Sequence, residues 1–277
     1  MKNRLLIPLL ALTLGSVAYE AQAQTYEQYV EKSFDLLDQN DLVAAGESLK
    51  AAMRLEPANP NNYALMMNLG TIQRRQGLLE DALLSYSAAL TRYPQHETIL
   101  ENRAQLYTEM GEIEKALNDY NALLMINPDK QDALYARGVL YLDQKDFLRA
   151  EEDFDRLLEV NEKSVQARLG FAMLEKIRGN FFESERILNY LINEKPREWR
   201  LYEERADLYF RMGKNGRAMG DINKVFVESE PTASLYVLRG KVKLAQFEKP
   251  SAALDFKKAL QMGYDEATIK ALLDMAK

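Results

Sequence analysis

Residues 100–128, LENRAQLYTEMGEIEKALNDYNALLMINP, return in altered form at a shift of 34 residues. Leu100, Ala104, Tyr107, Ala116 and Tyr120 are answered by Leu134, Gly138, Tyr141, Ala150 and Phe154. A unit of this length is one helix–turn–helix, too small to bury its apolar face alone, so it must stack on copies of itself. With the prolines as phase marker, repeats start at Tyr26, Tyr63, Glu97, Gln131, Val165, Trp199 and Ala233, spaced by 37 residues once and by 34 thereafter. The eighth residue of each is small: Ser33, Gly70, Ala104, Gly138, Ala172, Ala206 and Gly240. So is the twentieth: Ala45, Ala82, Ala116, Ala150, Ser184, Ala218 and Ala252. Small side chains at both places let two antiparallel helices cross closely. The twenty-fourth is large and apolar throughout: Leu49, Tyr86, Tyr120, Phe154, Leu188, Ile222 and Phe256.

This order of residues resembles the tetratricopeptide repeat family, whose pattern is W-x2-L-G-x2-Y, then A-x3-F, then P. The resemblance covers residues 26 to about 266. It implies an all-α fold, an α-solenoid in which helical hairpins stack as a right-handed superhelix. The repeats are expected at 26–59, 63–96, 97–130, 131–164, 165–198, 199–232 and 233–264, followed by a capping helix over 265–277. There Asp265 is placed to cap a helix whose Ile269, Leu272, Leu273 and Ala276 share a face.

The first 23 residues follow another logic. Lys2 and Arg4 precede an apolar run from Leu5 to Val17, and Ala21-Gln22-Ala23 is a small-residue cleavage site. That is the order of a secretory signal peptide, which places the mature protein, from Gln24, in the periplasm or outside the cell; an uncleaved signal anchor is the alternative. The run is too short for an ordinary membrane-spanning helix, and no other segment is apolar enough to stay in a bilayer. The chain has no cysteine, which removes disulfides and thiolate metal sites and leaves stability to stacking. A net charge of −6 argues against nucleic acid as a partner, since phosphate binding needs basic side chains.

Asn40, Gly77, Gly111, Gly179 and Gly213 occupy the inter-helix turns, where a left-handed backbone suits glycine and asparagine. Lys145 and Phe247 fall at the same place in repeats four and seven, so those two turns are expected to be built differently. Pro60-Asn61-Asn62 is the surplus that lengthens the first spacing, expected as a loop extension outside the packed faces.

Charge also follows the repeat. The seventh residue is Arg103, Arg137, Arg205 and Arg239 in repeats three, four, six and seven, and the twenty-third is Asp119, Asp153, Asp221 and Asp255 in the same four. The other repeats lack both, with Lys32 and Ser48, Leu69 and Ser85, Phe171 and Ile187 instead. Repeat seven keeps both charges although only the cap follows it, so each guanidinium is expected to meet the carboxylate of its own hairpin.

In the family this chain resembles, first helices line a concave groove, and the second, fifth, ninth, twelfth and thirteenth residues of each repeat face it. In repeats four and five these places bring Tyr135, Val139, Leu142, Leu169, Met173 and Ile177, with Asp132, Asp143, Gln166 and Lys176. Repeats two and six add Arg74, Arg75, Arg200 and Arg211, with Glu203, Asp207 and Phe210 beside them. An apolar centre flanked by charge suits an extended peptide or an amphipathic helix. The expected function is therefore a non-catalytic exported scaffold that holds a protein or peptide partner, in an envelope or secretion assembly. One alternative is a solute- or glycan-binding component with Tyr135, Tyr141 or Trp199 as stacking platforms. Another is self-association, a homo-oligomer formed through the groove. No motif calls for a cofactor or a metal: His96 is the single histidine, expected in a solvated loop, and no glycine-rich phosphate loop is present.

Overall fold

The small residues at the eighth and twentieth places decide how the helices meet, and all fourteen are buried in the structure. The structure, a computed structural model, describes residues 24–277. The proposed signal peptide over 1–23 lies outside the described residues. Those residues form helices joined by short turns, with no strand among them.

They form two compact units. The first, ending at Arg92, holds α1 (Tyr26–Asp38), α2 (Leu42–Leu55), α3 (Asn62–Arg75) and α4 (Leu79–Arg92). The second, Tyr93–Lys277, holds α5 (Glu97–Glu109), α6 (Ile113–Ile126), α7 (Gln131–Asp143), α8 (Phe147–Val160), α9 (Val165–Arg178) and α10 (Phe181–Glu194). It continues with α11 (Trp199–Arg211), α12 (Asn215–Glu228), α13 (Ala233–Ala245), α14 (Lys249–Gln261) and α15 (Glu266–Met275). Within each unit an odd-numbered helix pairs with the next as a hairpin, and the hairpins stack in order. The fold is an all-α solenoid.

Where the eighth residue is glycine, a ring fills the space. A Cβ on Gly138 would lie 2.5 Å from Cε1 of Phe154, and one on Gly240 would lie 2.4 Å from Cε1 of Phe256. Repeats five and six instead pair Ala172 with Leu188 and Ala206 with Ile222, so the small and large partners share a fixed space.

The turns depart from expectation. Lys145 and Phe247 adopt φ of 61° and 64°, the same left-handed backbone as Gly111 at 76°. The amide of the following residue donates five residues back in each: Glu112 to Tyr107 at 2.8 Å, Asp146 to Tyr141 at 2.8 Å, Glu248 to Lys243 at 2.9 Å. All three turns are therefore built alike. Closing the hairpin imposes the conformation, and Lys145 and Phe247 carry its strain.

The surplus before α3 is also more than a loop. Asn62 is buried; its amide donates to the Glu56 carbonyl at 2.8 Å, and its Oδ1 accepts from the Tyr26 hydroxyl at 3.1 Å. It ties the start of α1 to the entry of α3.

The arginine–aspartate pairs form inside single hairpins, as their joint distribution implied. Arg103 forks onto Asp119 at 2.7 and 2.8 Å, Arg137 onto Asp153 at 2.9 and 2.6 Å, and Arg205 onto Asp221 at 2.8 Å for both contacts. Arg239 binds Asp255 in the same two-pronged way. Arg137 and Arg205 also donate back to the preceding hairpin, to Asn121 and Asn189, both at 2.7 Å. Two of the four pairs therefore hold the stacking register as well as the hairpin. Burial pushes the Asp153 carboxyl above its ordinary value, and the Arg137 fork pulls it back only in part. Such a pair specifies geometry more than it adds net stability.

At the C-terminal end, Asp265 accepts from the Thr268 amide at 2.7 Å and starts α15. Ile269 is fully buried against Val237, Ala252, Phe256 and Ala259, with Leu272, Leu273 and Ala276 packed beside it. This helix covers the last hairpin.

Candidate functional site

Within the second unit, the first helices α9, α11 and α13 line a cleft of about 320 Å3, to which Asp143 from α7 and Tyr264 before α15 also contribute. Met173, Ile177, Leu235, Val237 and Leu238 supply its apolar surface. The charged wall is anchored by Lys176, which is buried and donates to Glu204 at 2.9 Å and to Asp207 at 2.6 Å. Arg211 reaches the same Asp207 oxygen at 2.9 Å. Burial alone raises the Asp207 carboxyl, but the Lys176 and Arg211 cations outweigh it and hold the group below its ordinary value. Two further carboxylates lie on the other side of theirs. Burial, reinforced by neighbouring Glu204, lifts Glu203 against the pull of Arg200 and Thr232, and burial lifts Asp143.

The residues expected at the groove divide. Met173, Ile177 and Arg211 line the cleft, with Asp143, Lys176, Glu203 and Asp207 from the same set of positions. Val139 and Phe210 are half-buried, and Phe210 packs against the core of repeats five to seven. Tyr135, Leu142 and Leu169 were expected to face the groove and do not. They are 8%, 2% and 4% exposed because the first helices α7, α9 and α11 pack against one another and close over them. The Tyr135 ring lies under Arg200, 5.4 Å from its guanidinium carbon, and its buried hydroxyl has no hydrogen-bond partner. Lys176 is likewise no free groove cation. Arg74 and Arg75 belong to the first unit, where Arg75 donates to the Asn40 side chain at 3.0 Å and braces the first hairpin turn.

The aromatic platforms fare similarly. Tyr135 and Tyr141 are buried, and half-buried Trp199 is tilted against Tyr202 at 5.9 Å. His96 stands at the start of α5 with its ring partly buried, where solvation was expected.

Sequence reasoning missed Ser234, Val237 and Lys241 of the cleft. They are the second, fifth and ninth residues of repeat seven, so the rule applied to earlier repeats finds them when carried to the last. Glu204, Leu235, Leu238 and Tyr264 stand at none of the groove-facing places of their repeats and left no such signal.

Helical hairpins stacked in series, with a cleft lined by their first helices, define a repeat protein of the protein–protein interaction type. Comparisons with known proteins name the family. A TPR repeat family model matches residues 104–145, and tetratricopeptide repeat models match 35–97 and 131–164. The chain is 68% identical to a tetratricopeptide repeat protein from Parabacteroides merdae ATCC 43184, with a TM-score of 0.85, covering 91% of this chain and 98% of that one. It therefore belongs to the tetratricopeptide repeat family, whose members are typically non-catalytic scaffolds.

Two more distant structures share the fold. The APC/C hetero-tetramer Cut9–Hcn1 is 14% identical with a TM-score of 0.63, over 91% of this chain and 52% of that one. PilW, a type IV pilus biogenesis factor, is 20% identical with a TM-score of 0.58, over 76% and 96%. No curated protein matches the sequence. Among the described residues no group of histidines and carboxylates is placed to hold a metal ion, and no helix is long and apolar enough to cross a membrane.

Proposed function

We propose that this protein is an exported, non-catalytic scaffold that holds a segment of a protein partner in the cleft of α9, α11 and α13. One observation carries the reading: the cleft's apolar floor lies beside a charged wall whose main cation, Lys176, is already neutralised from within. A wall satisfied in this way does not need a small ion, so binding energy comes from apolar side chains laid against Met173, Ile177 and Leu238. Charge at the rim then sets orientation and rate more than affinity. Export rests on the order of Lys2, Arg4, the apolar run and Ala21-Gln22-Ala23. An envelope or secretion assembly is the setting this implies.

The test is photo-crosslinking in intact cells from an unnatural side chain at Met173, Ile177 or Leu238, with outward-facing Leu148 as control. A discrete crosslinked protein from the cleft positions alone is the expected result. Capture from Leu148 with none from the cleft overturns the reading. Fractionation with N-terminal sequencing checks export: an exported product starting at Gln24 is expected, and an unprocessed cytosolic chain refutes that half.

A further inference from the structure

The hairpin of repeat five breaks the charge pattern of its neighbours, and a second cavity opens there. In repeats three, four and six the arginine of the Arg–Asp pair also lies against the tyrosine four residues on, 5.7 Å from the Tyr107 ring centre, 5.9 Å from Tyr141 and 5.7 Å from Tyr209. Repeat five has Phe171, Ile187 and Glu175 at the corresponding three places. Between α9 and α10 lies a cavity of about 470 Å3 with Phe171 and Ile187 in its lining and Tyr190 on its wall. It sits on the side of α9 away from the cleft of Met173 and Ile177.

The rim is satisfied from within. Glu183 is forked by Arg186, with Nε at 2.8 Å; Glu175 takes Asn180 at 2.6 Å and Arg178 at 3.3 Å; Arg168 lies over the Tyr190 ring at 5.4 Å. Two cations and two anions line the cavity, so it has no net charge to attract an ion. What fits is a neutral ring or branched apolar side chain.

The same helix carries such a side chain. Phe182 is 81% exposed, four residues before Arg186, and Tyr190 is four residues after it, so all three share one stripe of α10. A two-fold axis brings identical surfaces face to face, and two antiparallel copies of α10 centred on Arg186 place the Phe182 of each beside the Tyr190 of the other. Phe182 and the Tyr190 end of the cavity lie roughly 12 Å apart along the helix, so one axis satisfies both contacts. The two Arg186 side chains meet at the axis, each already paired with its own Glu183, which removes the repulsion of bare like charges.

We propose that two copies of this chain associate through the outer face of α10, each seating Phe182 in the repeat-five cavity of the other. The proposal is independent of the cleft. An interface anchored by one ring from each copy is a weak one, with a dissociation constant on the order of 10 μM.

Light scattering and sedimentation of the purified protein up to about 200 μM test it, because that range spans the expected constant. A monomer–dimer equilibrium is expected, weakened at least about thirty-fold by Phe182→Ala, since the change removes both symmetric anchors. Phe182 is solvent-facing in the monomer, so the variant melts as the parent does. The chain has no cysteine, so Arg186→Cys, made together with Glu183→Gln so that no bare carboxylate is left at the rim, gives one thiol at the axis and keeps both anchors in place. A short bismaleimide is expected to link that variant into dimers, and not Leu148→Cys, which lies elsewhere. A protein that stays monomeric throughout overturns the proposal, whether or not a foreign protein occupies the cavity. So does a dimer indifferent to Phe182→Ala, or crosslinking at Arg186→Cys no better than at Leu148→Cys.

Discussion

Removing Arg137 and then Asp153 tests whether the recurring pair sets register or merely decorates the hairpin. Asp153 is 4% exposed and takes two prongs of the guanidinium at 2.9 and 2.6 Å, while the third nitrogen holds Asn121. Arg137→Ala leaves a buried carboxylate with nothing opposite, a loss of about 3 kcal/mol. Asp153→Ala costs less, about 2 kcal/mol, because the Arg137 side chain is 20% exposed and keeps its Asn121 contact. The double variant strands neither charge and loses only packing and the Asn121 link, about 2 kcal/mol, which leaves a coupling energy of about 3 kcal/mol. Urea unfolding followed by circular dichroism at constant slope measures all four corners.

The sign of the pH dependence is a second check on the same variant. Burial already lifts the Asp153 carboxyl, and without Arg137 nothing pulls it back, so its folded value rises further above the unfolded value of about 3.9. A group raised on folding favours the native state below its unfolded pKa and loses that contribution as pH rises through the folded one. The Arg137→Ala deficit is therefore full at neutral pH and shrinks toward pH 4. A coupling energy under about 0.5 kcal/mol, or a deficit equal at both pH values, refutes the reasoning.

The remaining expectations concern close contacts. Lys145→Gly and Phe247→Gly each relieve a left-handed residue at an exposed turn, and each is expected to stabilise by about 0.5–1 kcal/mol after the greater unfolded-chain freedom of glycine is counted. A lower urea midpoint in either would contradict the strain assigned there. Gly138→Ala drives a methyl into the Phe154 ring and costs about 2 kcal/mol. Adding Phe154→Leu, the partner that repeat five uses opposite Ala172, is expected to recover most of that loss, and no recovery would mean the two positions do not share one space.

How much was legible in the sequence follows from which contacts repeat. The small and large partners meet inside one hairpin, as Gly138 and Phe154 or Gly240 and Phe256 do, so the same answer is written again in each repeat and one copy can be read from the others. The Arg–Asp pairs were legible for the same reason: two residue types came and went together sixteen residues apart. Tyr135, Leu142 and Leu169 were not, because their burial depends on how closely successive first helices approach, and one repeat's pattern carries no record of that angle. Lys145 and Phe247 misled for the opposite reason. Their residue types argue against a left-handed turn, and the closure of the hairpin overrides them.

Both proposed sites fall where this redundancy fails. Repeat five alone among repeats three to seven discards the Arg–Asp pair, and α9 then faces two ways. Met173, Lys176 and Ile177 line the cleft on one side, while Phe171 and Glu175 line the α10 cavity on the other. Packing does not demand the change, since Arg103, Arg137, Arg205 and Arg239 close equivalent hairpins with charge. A repeat relieved of that pair gains an apolar pocket at the cost of register bonds, and such a break in local consistency marks a surface shaped for something outside its own hairpin. Restoring the pattern with Phe171→Arg and Ile187→Asp separates the two sites: the α10 association is lost, while crosslinking from Ile177 persists.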